Sequence, residues 1–388
     1  MMRRLAAPLL CSSFFLLMAC GSNNTNSKNL EQNTSAKTEQ PALTKQTYQS
    51  ETFAHFNEPW AVTSLPDQRL LVTERQGKLK IFNPKNKQML DVKGVPAVNY
   101  GGQGGLGDVV LHPDFAKNHW VYLSYAMKGQ GGSGAVISRA KLDLSNPHQP
   151  KLTDVKQIWQ QVPKVSGQGH YGHRMLFGAD GKLWVSSGER QKFDPAQNMK
   201  SNLGKILRLN EDGSAAVGNP FYKQGGVTAE IWSLGHRNPL GMAFDSKGQL
   251  WVVEMGPKGG DELNIITKGE NYGYPIVSNG DHYSGLNIPD HATRPEFEAP
   301  KLDWTPVISP SSLIFYTGQM FPKWQDKAII GGLSSKVLII VDTTAQPVKE
   351  IQRIDMKERI RGLQQAKDGS IWVIEDGKHA DLIQLLSH

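Results

Sequence analysis

From residue 48 onward the chain alternates between short apolar runs and polar, glycine-marked breaks, and one phrase keeps returning. An Asp/Gly turn leads into four or five apolar residues that end at an acid. The copies read Asp67-Gln-Arg-Leu-Leu-Val-Thr-Glu74, Asp180-Gly-Lys-Leu-Trp-Val-Ser-Ser-Gly-Glu189, Lys247-Gly-Gln-Leu-Trp-Val-Val-Glu254 and Asp368-Gly-Ser-Ile-Trp-Val-Ile-Glu375. Asp-Gly before such a run signals the second strand of a hairpin. Two weaker strands, Trp120-Val-Tyr-Leu-Ser-Tyr125 and Lys327-Ala-Ile-Ile-Gly331, complete a series of six. The mean step of roughly 60 residues is somewhat longer than a usual propeller repeat. Six four-stranded units, closed radially so that edges stay short, account for the whole of residues 48–388. The pattern therefore predicts an all-β, six-bladed β-propeller. The uneven spacing suits blades with long loops better than a solenoid.

The first 47 residues follow no such rhythm. Arg3 and Arg4 precede an apolar stretch from Leu5 to Ala19, shorter than a membrane-spanning helix requires. The stretch ends Leu17-Met-Ala-Cys20-Gly21, which resembles the lipobox of bacterial lipoproteins; the alternative is an ordinary secretory signal with a chance cysteine. Residues 1–19 are thus expected to be a lipoprotein signal peptide. Residues 20–47, rich in Asn, Ser, Thr, Lys and Gln, are expected to be a flexible tether. This places the protein on the periplasmic side of a bacterial membrane, anchored at Cys20. Cys11 and Cys20 are the only cysteines. After cleavage only a lipid-blocked Cys20 would remain, which excludes disulfides, zinc–thiolate sites and cysteine nucleophiles. The net charge is +7, but Lys and Arg are scattered, so a nucleic-acid partner is not indicated. With 39 glycines and 22 prolines, long helices are not expected.

Four segments interrupt the strand pattern with candidate chemistry. Gly101-Gly-Gln-Gly-Gly-Leu-Gly107 carries one polar side chain, Gln103, in a backbone able to approach a neighbour closely. It lacks the Lys-Ser/Thr of a phosphate loop. Gly169-His-Tyr-Gly-His-Arg174 holds two histidines at a spacing unlike the helical pair of a metalloprotease; a histidine near a carboxylate suits a general base. In Leu234-Gly-His-Arg-Asn-Pro-Leu-Gly241, Arg237 and Asn238 precede a proline and so sit in a turn, where they can donate to an oxyanion. Glu254-Met-Gly-Pro-Lys-Gly-Gly-Asp-Glu-Leu-Asn264, followed by Gly269-Glu-Asn-Tyr-Gly-Tyr-Pro275, offers hard oxygen ligands of the kind calcium prefers.

Taken together over residues 50–385, these segments resemble the soluble quinoprotein glucose/sorbosone dehydrogenases, including the aldose sugar dehydrogenases. The most specific parts are Gly102-Gln-Gly-Gly-Leu-Gly107 with His112-Pro-Asp-Phe115, then Gly235-His-Arg-Asn-Pro239, and Met255-Gly-Pro through Tyr274-Pro275. The resemblance implies a six-bladed propeller that binds pyrroloquinoline quinone and calcium. By this likeness His170 is the base, oriented by Glu189 where the family usually has Asp. Arg237, Asn238 and Gln103 face the quinone, and Arg359 and Arg361 hold its carboxylates. The carbonyls of Gly256 and Pro257 take the calcium beside the quinone, and Glu262 and Tyr272 match a further calcium position. Ser334 stands where glucose-type members carry Lys.

The implied reaction is oxidation of an aldose at C1 to the lactone. His170 takes the hydroxyl proton, the hydride passes to the quinone, and Arg237 stabilises the developing charge. The electron acceptor is unidentified. Two other readings stand beside it: a calcium-dependent, lactonase-like hydrolase on a similar propeller, and a non-catalytic, lipid-anchored binding propeller. The arginine pair in Glu358-Arg-Ile-Arg-Gly362, if extended, places both guanidiniums on one side, where they would repel without an intervening anion.

Overall fold

A computed structural model describes residues 48–387; the expected signal peptide, the tether and Cys20 lie outside the described residues. Six four-stranded antiparallel sheets follow one another along the chain, with a small two-stranded ribbon, Lys258–Gly259 with Gly280–Asp281, inserted in the fourth. The recurring phrase is the second strand of blades 1, 3, 4 and 6, at Leu70–Glu74, Leu183–Ser187, Leu250–Glu254 and Ile371–Glu375, and the two weaker strands are the second strands of blades 2 and 5, at Trp120–Gly129 and Ala328–Gly332. The first strands form the inner ring. They begin at Pro59, Leu106, Gly172, Pro239, Pro310 and Ile360, each packs on the next, and the sixth packs on the first. The ring is therefore a closed propeller, as the repeat predicted.

The sixth blade contains only three strands from its own stretch of chain. Its outer strand is Tyr48–Phe56, which pairs with Ala380–Ser387 across the whole length of the domain. This seam stitches the two ends of the propeller together and removes the edges that an open array would leave.

The phrase itself follows from local chemistry. Asp67, Asp180 and Asp368 each accept, through Oδ1, the amide two residues on, which sets the hairpin turn. The next residue adopts a left-handed φ, which Gly181 and Gly369 meet without strain and Gln68, at 71°, meets with a side chain. The apolar run is continuous because both faces of each strand are covered. Leu70 and Val72 pack toward blade 6, whereas Leu71 packs toward blade 2. Trp251 and Val253 face blade 5; Leu250 and Val252 face blade 3. The core is accordingly divided into six clusters, one at each interface between neighbouring blades.

A second repeat is invisible in the sequence. Every inner strand carries a register shift near its start: Pro59/Ala61, Leu106/Val109, Gly172/Met175, Pro239/Gly241, Pro310/Ser312 and Ile360/Gly362. A bulge re-aims the side chain it carries. Here Trp60, His173, Leu240 and Arg361 all turn to the wall of one central cavity. Arg174 lies within the same bulge as His173. Its guanidinium donates to Asp108 Oδ1 (3.2 Å), Leu240 O (2.9 Å) and Ser311 O (3.0 Å) and stacks 4.3 Å over Trp60, so one side chain of blade 3 ties together blades 1, 2, 4 and 5.

Candidate active site

Two cavities open at the same end of the propeller ring, where the loops entering the inner strands gather. The larger, about 370 Å3, is lined by Gln103, Asn238, Arg359 and Arg361 from the sequence-derived set. The smaller, about 240 Å3, is lined by His170, Arg237 and Pro257. Consecutive residues, Arg237 and Asn238, thus serve adjacent cavities, and Gln103 joins them by accepting the His170 amide on Oε1 at 2.8 Å.

His170 is the best-defined chemical group. It is 6% exposed, and its Nδ1 bonds Glu189 Oε1, while Nε2 has no protein partner among the described residues. Glu189 is itself fixed: its other oxygen accepts the amides of Lys192 and Phe193, the latter at 2.7 Å. The longer Glu therefore still reaches the ring, and its tail end is held by the following loop. Burial lowers the His170 pKa below the ordinary imidazole value, with the Arg237 charge acting in the same sense and Glu189 opposing. Burial alone would raise Glu189, but its bond to His170 and the Phe193 amide hold it below the usual range. The pair is a neutral imidazole whose free nitrogen can accept a proton. Lys205 steadies the same loop from beneath, its buried Nζ donating to the carbonyls of Pro195, Ala196 and Leu203 at 2.7–2.9 Å.

His173 is no partner to His170. Its ring is buried between Tyr171, stacked at 5.1 Å, and the edge of Trp60 at 5.8 Å, and neither nitrogen has a hydrogen bond.

The arginine pair needs one correction. Its intervening anion is part of the protein: Asp376 accepts Arg359 Nε on Oδ2 (2.8 Å) and Arg361 Nε and Nη2 on Oδ1 (3.0 and 2.8 Å). The two guanidiniums hold Asp376 below the usual carboxylate range despite its burial. Arg75 adds a third guanidinium to the larger cavity and organises the glycine loop by donating to the carbonyls of Gly102 and Gly104. The glycines there admit close backbone: a Cβ on Gly105 would lie 2.1 Å from Arg75 O.

Arg75, Met255 and Asp376 all line the larger cavity, and none was singled out from the sequence. A signal was present. Each directly follows the terminal acid of a repeat phrase, at Glu74, Glu254 and Glu375, so the strand delivers it to the rim. The acids cap loops: Glu74 accepts the Asn57 amide and Glu254 the Arg237 amide, in each case just before the inner strand of the same blade. The aromatic wall of the smaller cavity, Phe193, Tyr274 and Tyr283, was also missed, because it comes from loops without periodic pattern.

The metal candidates divide. A Cβ on Gly256 would lie 2.1 Å from Gly260 O and 2.4 Å from Gly259 O, so these two carbonyls crowd the Gly256 α-carbon in a space only glycine allows. Asp261 braces the Gly256–Gly260 loop by accepting the Gly256 amide at 2.9 Å; burial pushes its carboxyl up to about 6. Backbone carbonyls and a carboxylate are oxygen donors of the type calcium takes. Glu262 and Tyr272 line neither cavity. Glu262 accepts from Asn264 at 3.0 Å and lies 3.5 Å from His291. The Tyr272 hydroxyl donates to Ile265 O and accepts the Thr267 amide, so its side-chain oxygen is already engaged. Among the described residues no three His, Cys, Asp or Glu side chains converge as a metal cluster.

Residues 56–384 match the glucose/sorbosone dehydrogenase family. The chain is 38% identical over 338 residues to the aldose sugar dehydrogenase YliI of Escherichia coli, covering 84% of this chain and 89% of that one. It is 32% identical over 249 residues to quinoprotein glucose dehydrogenase B of Acinetobacter calcoaceticus, covering 58% and 52%. The crystal structure of the E. coli soluble aldose sugar dehydrogenase in its apo-form superposes with a TM-score of 0.81 at 36% identity, over 88% of this chain and 100% of that one. The PQQ-bound aldose sugar dehydrogenase of Streptomyces coelicolor gives 0.73 at 28% identity, over 88% and 98%. With that breadth of match over the whole propeller, this chain belongs to the glucose/sorbosone dehydrogenase family.

Proposed function

We propose that this protein oxidises aldose sugars at C1 to the lactone, using pyrroloquinoline quinone in the larger cavity and calcium at the Gly256–Pro257 carbonyls. The observation that carries the reading is the junction of two unlike spaces: a cavity with three guanidiniums beside one holding a neutral, carboxylate-oriented histidine. Three arginines against Asp376 leave the larger cavity positive, which fits a flat tricarboxylate through paired donors. Tyr171, Trp60 and Leu240 supply apolar wall for its rings. When bound, the quinone supplies the two-electron acceptor for the hydride leaving C1, and calcium polarises its carbonyl.

The chain's own residues do the rest. Glu189 keeps the proton on His170 Nδ1, so Nε2 is the lone-pair nitrogen that takes the proton from the anomeric hydroxyl. Arg237 lines the same cavity, with Nη1 donating to Met255 O at 3.0 Å and its buried Nε unpaired; it is placed to stabilise negative charge that develops nearby. Gln103 holds the backbone of His170 against the larger cavity. Phe193, Tyr274 and Tyr283 give the sugar an aromatic wall. Arg3, Arg4, the apolar stretch to Ala19 and Cys20 support export and lipid anchoring at the periplasmic face.

The test is reconstitution. Purified protein given the quinone and calcium should change the quinone absorbance and then reduce a dye only when an aldose is added. A lactone hydrolase or a binding propeller would give no dye reduction with any aldose at saturating quinone, and that result would end the dehydrogenase reading.

A further inference from the structure

Blades 3 and 4 each carry a histidine bonded through Nδ1 to a glutamate at the end of the second strand, and the two pairs differ in what the far nitrogen meets. His170 Nε2 is free and its ring lines the smaller cavity. His236 is fully buried, and its Nε2 bonds Ser233 Oγ at 2.8 Å while Nδ1 bonds Glu254 Oε1 at 2.8 Å. The row Ser233–His236–Glu254 has the members of a nucleophilic triad, but Ser233 is 0% exposed, so no substrate reaches it. Its output lies at the other end. Glu254 Oε2 accepts the backbone amide of Arg237 at 2.7 Å, and Asn264 Nδ2 adds a donor to Oε1 at 3.3 Å. The His236 ring is clamped by Tyr272, stacked at 4.6 Å.

We propose that His236 is a positioning residue that acts through Glu254 to fix the backbone of Arg237, and hence the guanidinium beside His170. The role rests on the dehydrogenase reading of Arg237. The Ser233 hydroxyl donates to Nε2, leaving the proton on Nδ1 to donate to Glu254; that bond selects the rotamer in which Oε2 meets the Arg237 amide. A phenylalanine at 236 keeps the stack on Tyr272 and removes both bonds. Glu254 Oε1 then keeps only the 3.3 Å bond from Asn264, and the hold of Oε2 on the Arg237 amide loosens at the loop that enters the inner strand at Pro239.

Two measurements decide it. In apoprotein, hydrogen exchange of peptides spanning 234–242 should show the Arg237 amide losing protection in His236→Phe while the other blades keep theirs. In the reconstituted enzyme, His236→Phe should lower kcat/KM about tenfold, but by less than about twofold in an Arg237→Ala background, since residues acting as one unit are not additive. His236→Gln, whose amide can still donate to Glu254, should recover most of the loss and stands in if the phenylalanine variant does not fold. Losses that multiply in the double variant, or an Arg237 amide that stays protected in His236→Phe, would overturn the role and leave the dehydrogenase reading intact. No quinone-dependent oxidation by the unaltered protein would overturn both.

Discussion

Replacing His173 with phenylalanine should flatten the acid sensitivity of folding while sparing catalysis. The ring is 3% exposed, and both nitrogens are buried without a partner. Burial lowers its pKa from 6.5 to about 3, helped by the charges of Arg190, Arg174 and Arg75. The folded state thus binds this proton less readily than the unfolded chain. Stability is intact above the unfolded value of 6.5 and is lost as pH falls toward the folded value of about 3. At pH 4.5 the unfolded histidine is two units below its pKa and the folded one is still neutral. At about 1.36 kcal/mol per unit, the loss from this one residue is about 3 kcal/mol. That is a large part of a typical folding free energy of about 5–15 kcal/mol. Phenylalanine has no proton to bind and leaves no orphaned nitrogen, so at neutral pH the variant should also gain about 1 kcal/mol. Urea denaturation of both proteins at pH 7.5 and pH 4.5 measures the effect directly, because other titrating groups cancel in the difference. An acid loss that is the same in both proteins to within about 1 kcal/mol would refute the buried, neutral assignment.

Four further outcomes are expected. His170→Ala should cut turnover by at least about 100-fold with quinone binding retained, as read from steady-state rates and quinone titration, whereas His173→Phe should stay within a few-fold of the parent. Because burial lowers the His170 pKa, the acid limb of kcat/KM should fall below the ordinary imidazole value of 6.5; a limb above it would contradict the assignment. Arg361→Ala should weaken quinone binding at least about tenfold, or about 1.4 kcal/mol, and Ser334→Lys, beside the cavity residues Ser309 and Leu333, should tighten it; titration of apoprotein at fixed calcium checks both. Cys20→Ser should abolish lipid attachment, seen as loss of the lipid mass and as either uncleaved precursor or a soluble form.

Much of the fold was legible because a propeller repeats its local rules. The Asp/Gly turn, the doubly covered apolar strand and the terminal acid are each set by a few neighbouring residues, so four copies and two weaker strands could be counted from the chain alone. His170, Gln103, Arg237 and Asn238 were legible for a related reason. They stand in segments that break the strand pattern, where a side chain is free to do something other than pack.

What the tertiary structure decided depends on distance along the chain. Only ring closure, bringing residues 48 and 387 together, makes Tyr48–Phe56 the outer strand of blade 6. The bulges that turn Trp60, His173, Leu240 and Arg361 toward one cavity are shifts of register between strands, a property of pairing that no single strand displays. Charge partners follow the same rule. Arg359 and Arg361 suggested an anion from elsewhere, but the next strand returns Asp376 between them. Of two histidines three residues apart, His170 fronts the smaller cavity with a carboxylate behind it, whereas His173 stands on the wall of the larger one, held between aromatic rings with no carboxylate partner. Sequence spacing specifies which residues a strand presents; the neighbours that set their charge, access and chemistry arrive from other blades, through contacts that exist only once the ring is closed.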